Sequence, residues 1–198
     1  MSCLKSLLED IENLLLDPES SDIVLLCQGE EIKAHRTILS ARSPVFWAML
    51  RSDMSETNGG IIKMEDVDTE VLKEMLTYMY TAKIDDKFTK TQELLVLANK
   101  YEVVELMNYC GTKLVKSLNN ENALEIGIFS EFHNAEDLLK ECVHYICKNP
   151  DSLNENWREK IQGSPKLMLD IIQISLKEKV EVQVIMRAGV FGSYGHSF

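Results

Sequence analysis

Positive charge is scarce in this sequence: 21 Lys and Arg stand against 32 Asp and Glu in 198 residues, a net charge of -11. Such a surface repels phosphate backbones instead of releasing their counterions, which argues against direct nucleic-acid binding. No cluster of five Lys or Arg occurs, so neither a basic DNA-binding arm nor a nuclear-import patch is present. Long apolar runs are lacking too, and none approaches the roughly 20 residues a membrane span needs. Residues 1–17 include Glu9, Asp10 and Glu12 and offer no small-residue cleavage site, so they do not read as a signal peptide. The five cysteines (Cys3, Cys27, Cys110, Cys142 and Cys147) are odd in number and form no CxxC pair, which predicts reduced thiols. With four prolines, nine glycines and no low-complexity tract, the chain reads as ordered. These absences together predict a soluble intracellular protein, in nucleus or cytoplasm, with no membrane and no nucleic-acid partner.

What is there is a change of periodicity along the chain. Leu4, Leu7, Leu8, Ile11, Leu14 and Leu15 recur at helical spacing, with Lys5, Glu9, Glu12 and Asn13 between them. After Asp17-Pro18 a β-branched run, Ile23 to Cys27, a turn at Gln28-Gly29-Glu30 and an alternating stretch from Glu31 to His35 predict a hairpin. Thr37 to Arg42 reads as a short helix, and Ser43-Pro44 opens another, with Ser as N-cap and Pro at the first helical position. Ile61 to Met64 is strand-like, and Asp68 or Thr69 can cap the helix that follows. From Thr91 onward the pattern is helical, including Ala123 to Phe132, Ala135 to Cys147, and a last helix from Pro165 to about Leu176. Strands first and helices after give an α+β class with a helical annex. The predicted organisation is 1–118, 119–178 and a tail of unassigned structure at 179–198.

The run Ser21-Asp22-Ile23-Val24-Leu25, followed by Ile32 to Phe46 (IKAHRTILSARSPVF), Leu72 to Thr81 and Leu94 to Tyr101, closely resembles the core signature of the BTB/POZ family over about 100 residues. The leucine-rich helix before Asp22 and the helical pairs after Leu118 are similar to the speckle-type POZ branch of that family. The resemblance implies a BTB/POZ fold, a small β-sheet with a helical cluster, followed by an all-α three-box and partial BACK extension. It further implies a non-enzymatic, cofactor-free module that forms homodimers, with a higher oligomer through the BACK-like helices. Such a module binds the cullin-3 scaffold of a cullin-RING ubiquitin ligase. Substrates would be brought by a MATH domain, which this sequence lacks. The Gly- and aromatic-bearing end, 180–198, departs from the basic run typical of that branch.

Within this resemblance, Met54-Ser55-Glu56 fits the hydrophobic-x-Glu pattern of cullin contact, with Phe46, Trp47, Met49 and Leu50 of the preceding helix as its neighbours. Leu7, Ile11, Leu14 and Ile38 match the positions that build the homodimer. Asp22 and His35 are implied to fix the junction of hairpin and helix; no nucleophile or glycine-rich phosphate loop accompanies them, so an acid–base pair is disfavoured. Cys142, His144 and Cys147 do not read as a metal site, because His144 is turned about 200° from Cys142 around a helix. The alternative function implied by the family is a dimer whose groove recruits a corepressor peptide without any role in ubiquitin transfer.

Overall fold

A computed structural model describes residues 3–51, 60–153 and 156–187, with side chains described over 5–51, 60–153 and 156–177. The chain divides into two compact units, Met1–Lys113 and Leu114–Phe198.

The first unit opens with helix α1 (Cys3–Leu16). Strand β1 (Ile23–Cys27) alternates buried and half-buried side chains, as a strand covered more fully on one face does. It turns back through Gln28 and Gly29, both at positive φ (49° and 83°), the geometry that lets a two-residue turn match strand twist. Strand β2 (Glu30–Ala34) then pairs antiparallel with β1, with Ile23 opposite Ala34 and Cys27 opposite Glu30. Helices α2 (Arg36–Arg42) and α3 (Pro44–Arg51) follow, and strand β3 (Ile61–Met64) lies parallel to β1 on its other side, in the order β2-β1-β3. Parallel pairing requires a long connection, and α2 and α3 lie within it.

Ser43 caps α3 as expected: its Oγ accepts the Phe46 N–H at 3.1 Å and donates to the Tyr101 carbonyl at 2.6 Å. Helix α4 (Thr69–Thr81) is capped by Asp68, whose carboxylate accepts the Glu70 and Val71 N–H groups, so Asp68 and not Thr69 is the cap. Val71, Leu72, Met75, Leu76 and Met79 of α4 are buried in the unit's core, and α1 packs on this helix. Helix α5 (Thr91–Lys100) and helix α6 (Val104–Lys116) complete the unit, whose boundary falls within α6. Phe46, with no exposed surface, stacks on Tyr101 with ring centroids 4.4 Å apart.

The second unit holds helices α7 (Ala123–Phe132), α8 (Glu136–Lys148), the short α9 (Trp157–Lys160) and α10 (Pro165–Arg187). Its core joins Ala123, Leu124, Leu139, Val143, Ile146, Ile161 and Leu167. Glu131 caps α10 from a distance, accepting the N–H groups of Lys166 (3.0 Å) and Leu167 (2.8 Å) where the helix dipole favours negative charge. The last helix runs to Arg187, past the Leu176 expected from periodicity, because no Gly or Pro occurs between Leu176 and Gly189 to stop it.

Candidate protein interface

Helix α1 leaves part of its apolar row uncovered by its own unit. Leu7 is 54% exposed, Leu8, Leu14 and Leu16 are exposed, and Ile11 is half-buried. Glu12 reaches Lys83 at 3.1 Å, tying the polar side of α1 to the end of α4. Ile38 on α2 is half-buried. Leu16, the last residue of α1, is also exposed, but it lies off this row on the opposite side of the helix.

On α3, the adjacent aromatics divide as a helix demands. Phe46 is fully buried, which corrects its expected place on a contact surface: it fills the core, stacked on Tyr101. Trp47 is 49% exposed, and Met49 and Leu50 are half-buried. The Arg51 guanidinium lies 4.7 Å from the Trp47 ring centroid. Between α2 and α3 a groove of about 500 Å³ opens, lined by Arg36, Thr37, Ser40 and Ala41 from one helix and Trp47, Leu50 and Arg51 from the other. Sequence reasoning missed this groove, although its signal was present: Arg36, Arg42 and Arg51 are the only arginines before Leu114, and all three fall on α2 and α3. Met54 and Glu56 lie outside the described residues.

Asp22 and His35 sit at a junction of hydrogen bonds. Asp22 Oδ1 accepts the Arg36 N–H at 2.7 Å, at the start of α2. The Tyr80 hydroxyl accepts the His35 backbone N–H at 2.9 Å and also lies within hydrogen-bond distance of Nδ1, at 2.9 Å. The other ring nitrogen, Nε2, lies 3.0 Å from Ser20 Oγ, which itself donates to the Asp17 carbonyl at 3.0 Å. Burial pushes the Tyr80 phenol up to about 12, and it remains a neutral donor. Both imidazole nitrogens are thus occupied in holding the segment after α1 to β2 and α4, which leaves no free base. Tyr80 and Ser20 were not legible as partners from sequence, since 45 and 15 residues separate them from His35.

Burial raises the thiols of Cys110 and Cys142 to about 12, which keeps them protonated and unreactive. Cys142 is buried while His144 is exposed, so these two side chains face apart. Among the described residues no three His, Cys, Asp or Glu side chains gather to hold a metal, and no helix is long and apolar enough to cross a membrane.

The second unit has an exposed apolar row of its own. Leu169, Ile172 and Leu176 are exposed on α10, opposite Leu167, Ile171 and Ile174, which pack on the core. At the end of α7, Phe132 is 80% exposed and stands edge-on to His133 at 4.9 Å. Burial holds the His133 imidazole below its ordinary range. The surfaces offer apolar area, aromatic anchors and cations, the composition of protein contact, not a convergent reactive set.

Residues 11–118 match the family model of the BTB/POZ domain. A BTB/POZ domain-containing protein of Arabidopsis thaliana is 34% identical over 167 residues, covering 81% of this chain and 69% of the relative. The protein maternal effect lethal 26 of Caenorhabditis elegans is 33% identical over 171 residues, covering 84% of this chain and 43% of that protein, so the chain spans less than half of its length. Among solved structures, the BTB domain of human gigaxonin aligns with a TM-score of 0.47 at 24% identity, covering 56% of this chain and 92% of that one.

Proposed function

The chain belongs to the BTB/POZ domain family, a family of protein-interaction modules, and on that premise we propose that it is a homodimeric substrate adaptor of the speckle-type POZ kind for a cullin-3 ubiquitin ligase. The observation that carries the self-association is the apolar row of α1, where Leu7, Leu8 and Leu14 lie open to water although the helix packs on α4. An apolar row of this kind is an aggregation hazard on a monomer and an interface on a dimer. The scaffold contact is supported by α3, which offers Trp47 and Leu50 and leads directly into Met54-Ser55-Glu56. The resemblance assigns Asn122 to Lys148 to the three-box and Asp151 to Leu176 to the partial BACK segment, and the exposed row on α10 would give the latter a surface for a higher oligomer. Substrates would enter through a MATH domain in a longer protein.

The direct test is mixing the purified chain with the amino-terminal domain of cullin-3 and measuring stoichiometry and affinity by calorimetry. Met54→Ala with Glu56→Ala should weaken the complex more than tenfold per residue, since hot-spot truncations cost about 2 kcal/mol or more each. A complex unaffected by both changes moves the scaffold site elsewhere. No complex at all, with the dimer intact, leaves a dimerisation module that recruits other peptides.

A further inference from the structure

Residues 188–198, AGVFGSYGHSF, stand apart from a chain that is 27% charged, for they hold no Asp, Glu, Lys or Arg. Gly189, Gly192 and Gly195 recur every third residue, with Phe191, Tyr194 and Phe198 set between and after them. Glycines raise the entropy lost on ordering, so such a segment makes a poor core of its own, yet each aromatic has a large area to bury. An apolar surface is open in the same unit. On α10, Met168 (38%), Leu169 (54%), Ile172 (48%) and Leu176 (57%) are exposed and fall within an arc of about 100° by the 100° step per residue, away from the buried Leu167. Lys166, Asp170, Gln173 and Lys177 all fall outside that arc, so the row is apolar throughout. At about 1.5 Å per helical residue, Leu176 lies about 16 Å and Met168 about 28 Å before Arg187, where α10 ends. Eleven extended residues reach about 36 Å, so a chain that reverses after Arg187 passes the whole row. Gly189 stands two residues past Arg187, the position at which glycine turns a chain back at a helix end.

We propose that residues 188–198 bind back onto this row of their own copy, Phe191 and Tyr194 over Leu176 and Ile172, and Phe198 toward Leu169 and Met168. A second copy competes for the same row, but a segment tethered at Arg187 acts at an effective concentration of about 1 mM, and so it wins at ordinary protein concentrations. The consequence is a brake on assembly through α10. That consequence alone rests on the higher-oligomer reading above; the occupancy does not.

Oxidation of Met168 to its sulfoxide by dilute hydrogen peroxide, followed by peptide mass spectrometry on the full chain, tests it. The variant carrying Phe191→Ser, Tyr194→Ser and Phe198→Ser should oxidise at Met168 severalfold faster than wild type, at a concentration where sedimentation gives both the same size. Leu at the same three positions should restore protection, which a damaged fold could not do. Met75, with no exposed surface, should stay equally slow in all three chains and reports an intact first unit. Equal Met168 rates in wild type and the Ser variant overturn the proposal. So does wild-type protection that is lost on dilution, because a second copy then covers the row. If the segment protects Met168 but the Ser variant forms no larger species than wild type at high concentration, the occupancy stands and the higher-oligomer reading falls.

Discussion

In the unit before Leu114, elements far apart in sequence are joined by buried polar side chains. Tyr80 grips His35 across 45 residues, and Ser43 reaches the Tyr101 carbonyl across 58. In the unit that follows, an apolar cluster does most of the corresponding work, and apart from the Glu131 cap of α10 the long-range polar ties include surface pairs such as Lys160 with Glu125 (2.6 Å) and Lys166 with Glu136 (2.9 Å). The difference bears on how each unit is specified. A buried hydroxyl satisfies its partners in one geometry only, so it fixes how β2, α2 and α4 meet. An apolar cluster accepts any filling of the right volume, and exposed ion pairs contribute little to stability.

The largest effect is expected where the units are alike. Leu39 and Leu167 each have no exposed surface, and truncation to Ala should cost about 2–5 kcal/mol at either site. The chain's two tryptophans, Trp47 and Trp157, fall one in each unit and allow each to be followed separately. With Trp157→Phe as background, Leu39→Ala should lower the denaturant midpoint of the Trp47 signal. With Trp47→Phe, Leu167→Ala should lower that of Trp157. If either truncation shifts both signals equally, the two units unfold as one and the contrast between them is not energetic.

A smaller change separates the units. Tyr80→Phe leaves the buried His35 N–H and Nδ1 without their partner and should cost about 2 kcal/mol, measured by urea unfolding. Tyr145→Phe, which removes an exposed 3.3 Å bond to Asn120, should stay within about 0.5 kcal/mol. Equal costs for the two would mean that the buried network gives the first unit no special specification.

The same contrast explains what could be read beforehand. Periodicity and caps are local, so the hairpin, Ser43-Pro44, the Asp68 cap and the bounds of α7 were legible within a residue or two. Asp22 and His35 stood out in the sequence, but what they bind did not, because Tyr80 comes from another helix. The parallel placement of β3 beside β1, the Glu131 cap of α10 and the stacking of Phe46 on Tyr101 likewise depend on tertiary packing. The groove was partly legible, since clustered arginines in an acidic chain mark a place, though only the packing of α2 on α3 shapes it.

The smallest predicted effect compares the two carboxylate caps. Asp68 caps α4 from the adjacent position, while Glu131 caps α10 from 35 and 36 residues away. The hydrogen bond from Lys90 chiefly, and then the Val71 amide, hold the Asp68 carboxyl below its ordinary 3.8. In turn Lys90 is held above its ordinary 10.5, by Glu70 first and Asp68 second. A lowered carboxyl contributes stability that is fully present above the ordinary carboxylate value and lost as pH falls through the folded value. A raised lysine contributes stability that is fully present below the ordinary lysine value and lost as pH rises through the folded one. Both contributions are therefore complete between about pH 5 and 9. Asp68→Ala should lower the thermal midpoint slightly at pH 7, and the gap to wild type should narrow as pH drops below the ordinary carboxylate value. Scanning calorimetry at pH 7 and pH 3 reads this directly. A gap that stays constant would mean that Asp68 acts through hydrogen-bond geometry alone and that its charge, paired with Lys90 in the open, adds nothing.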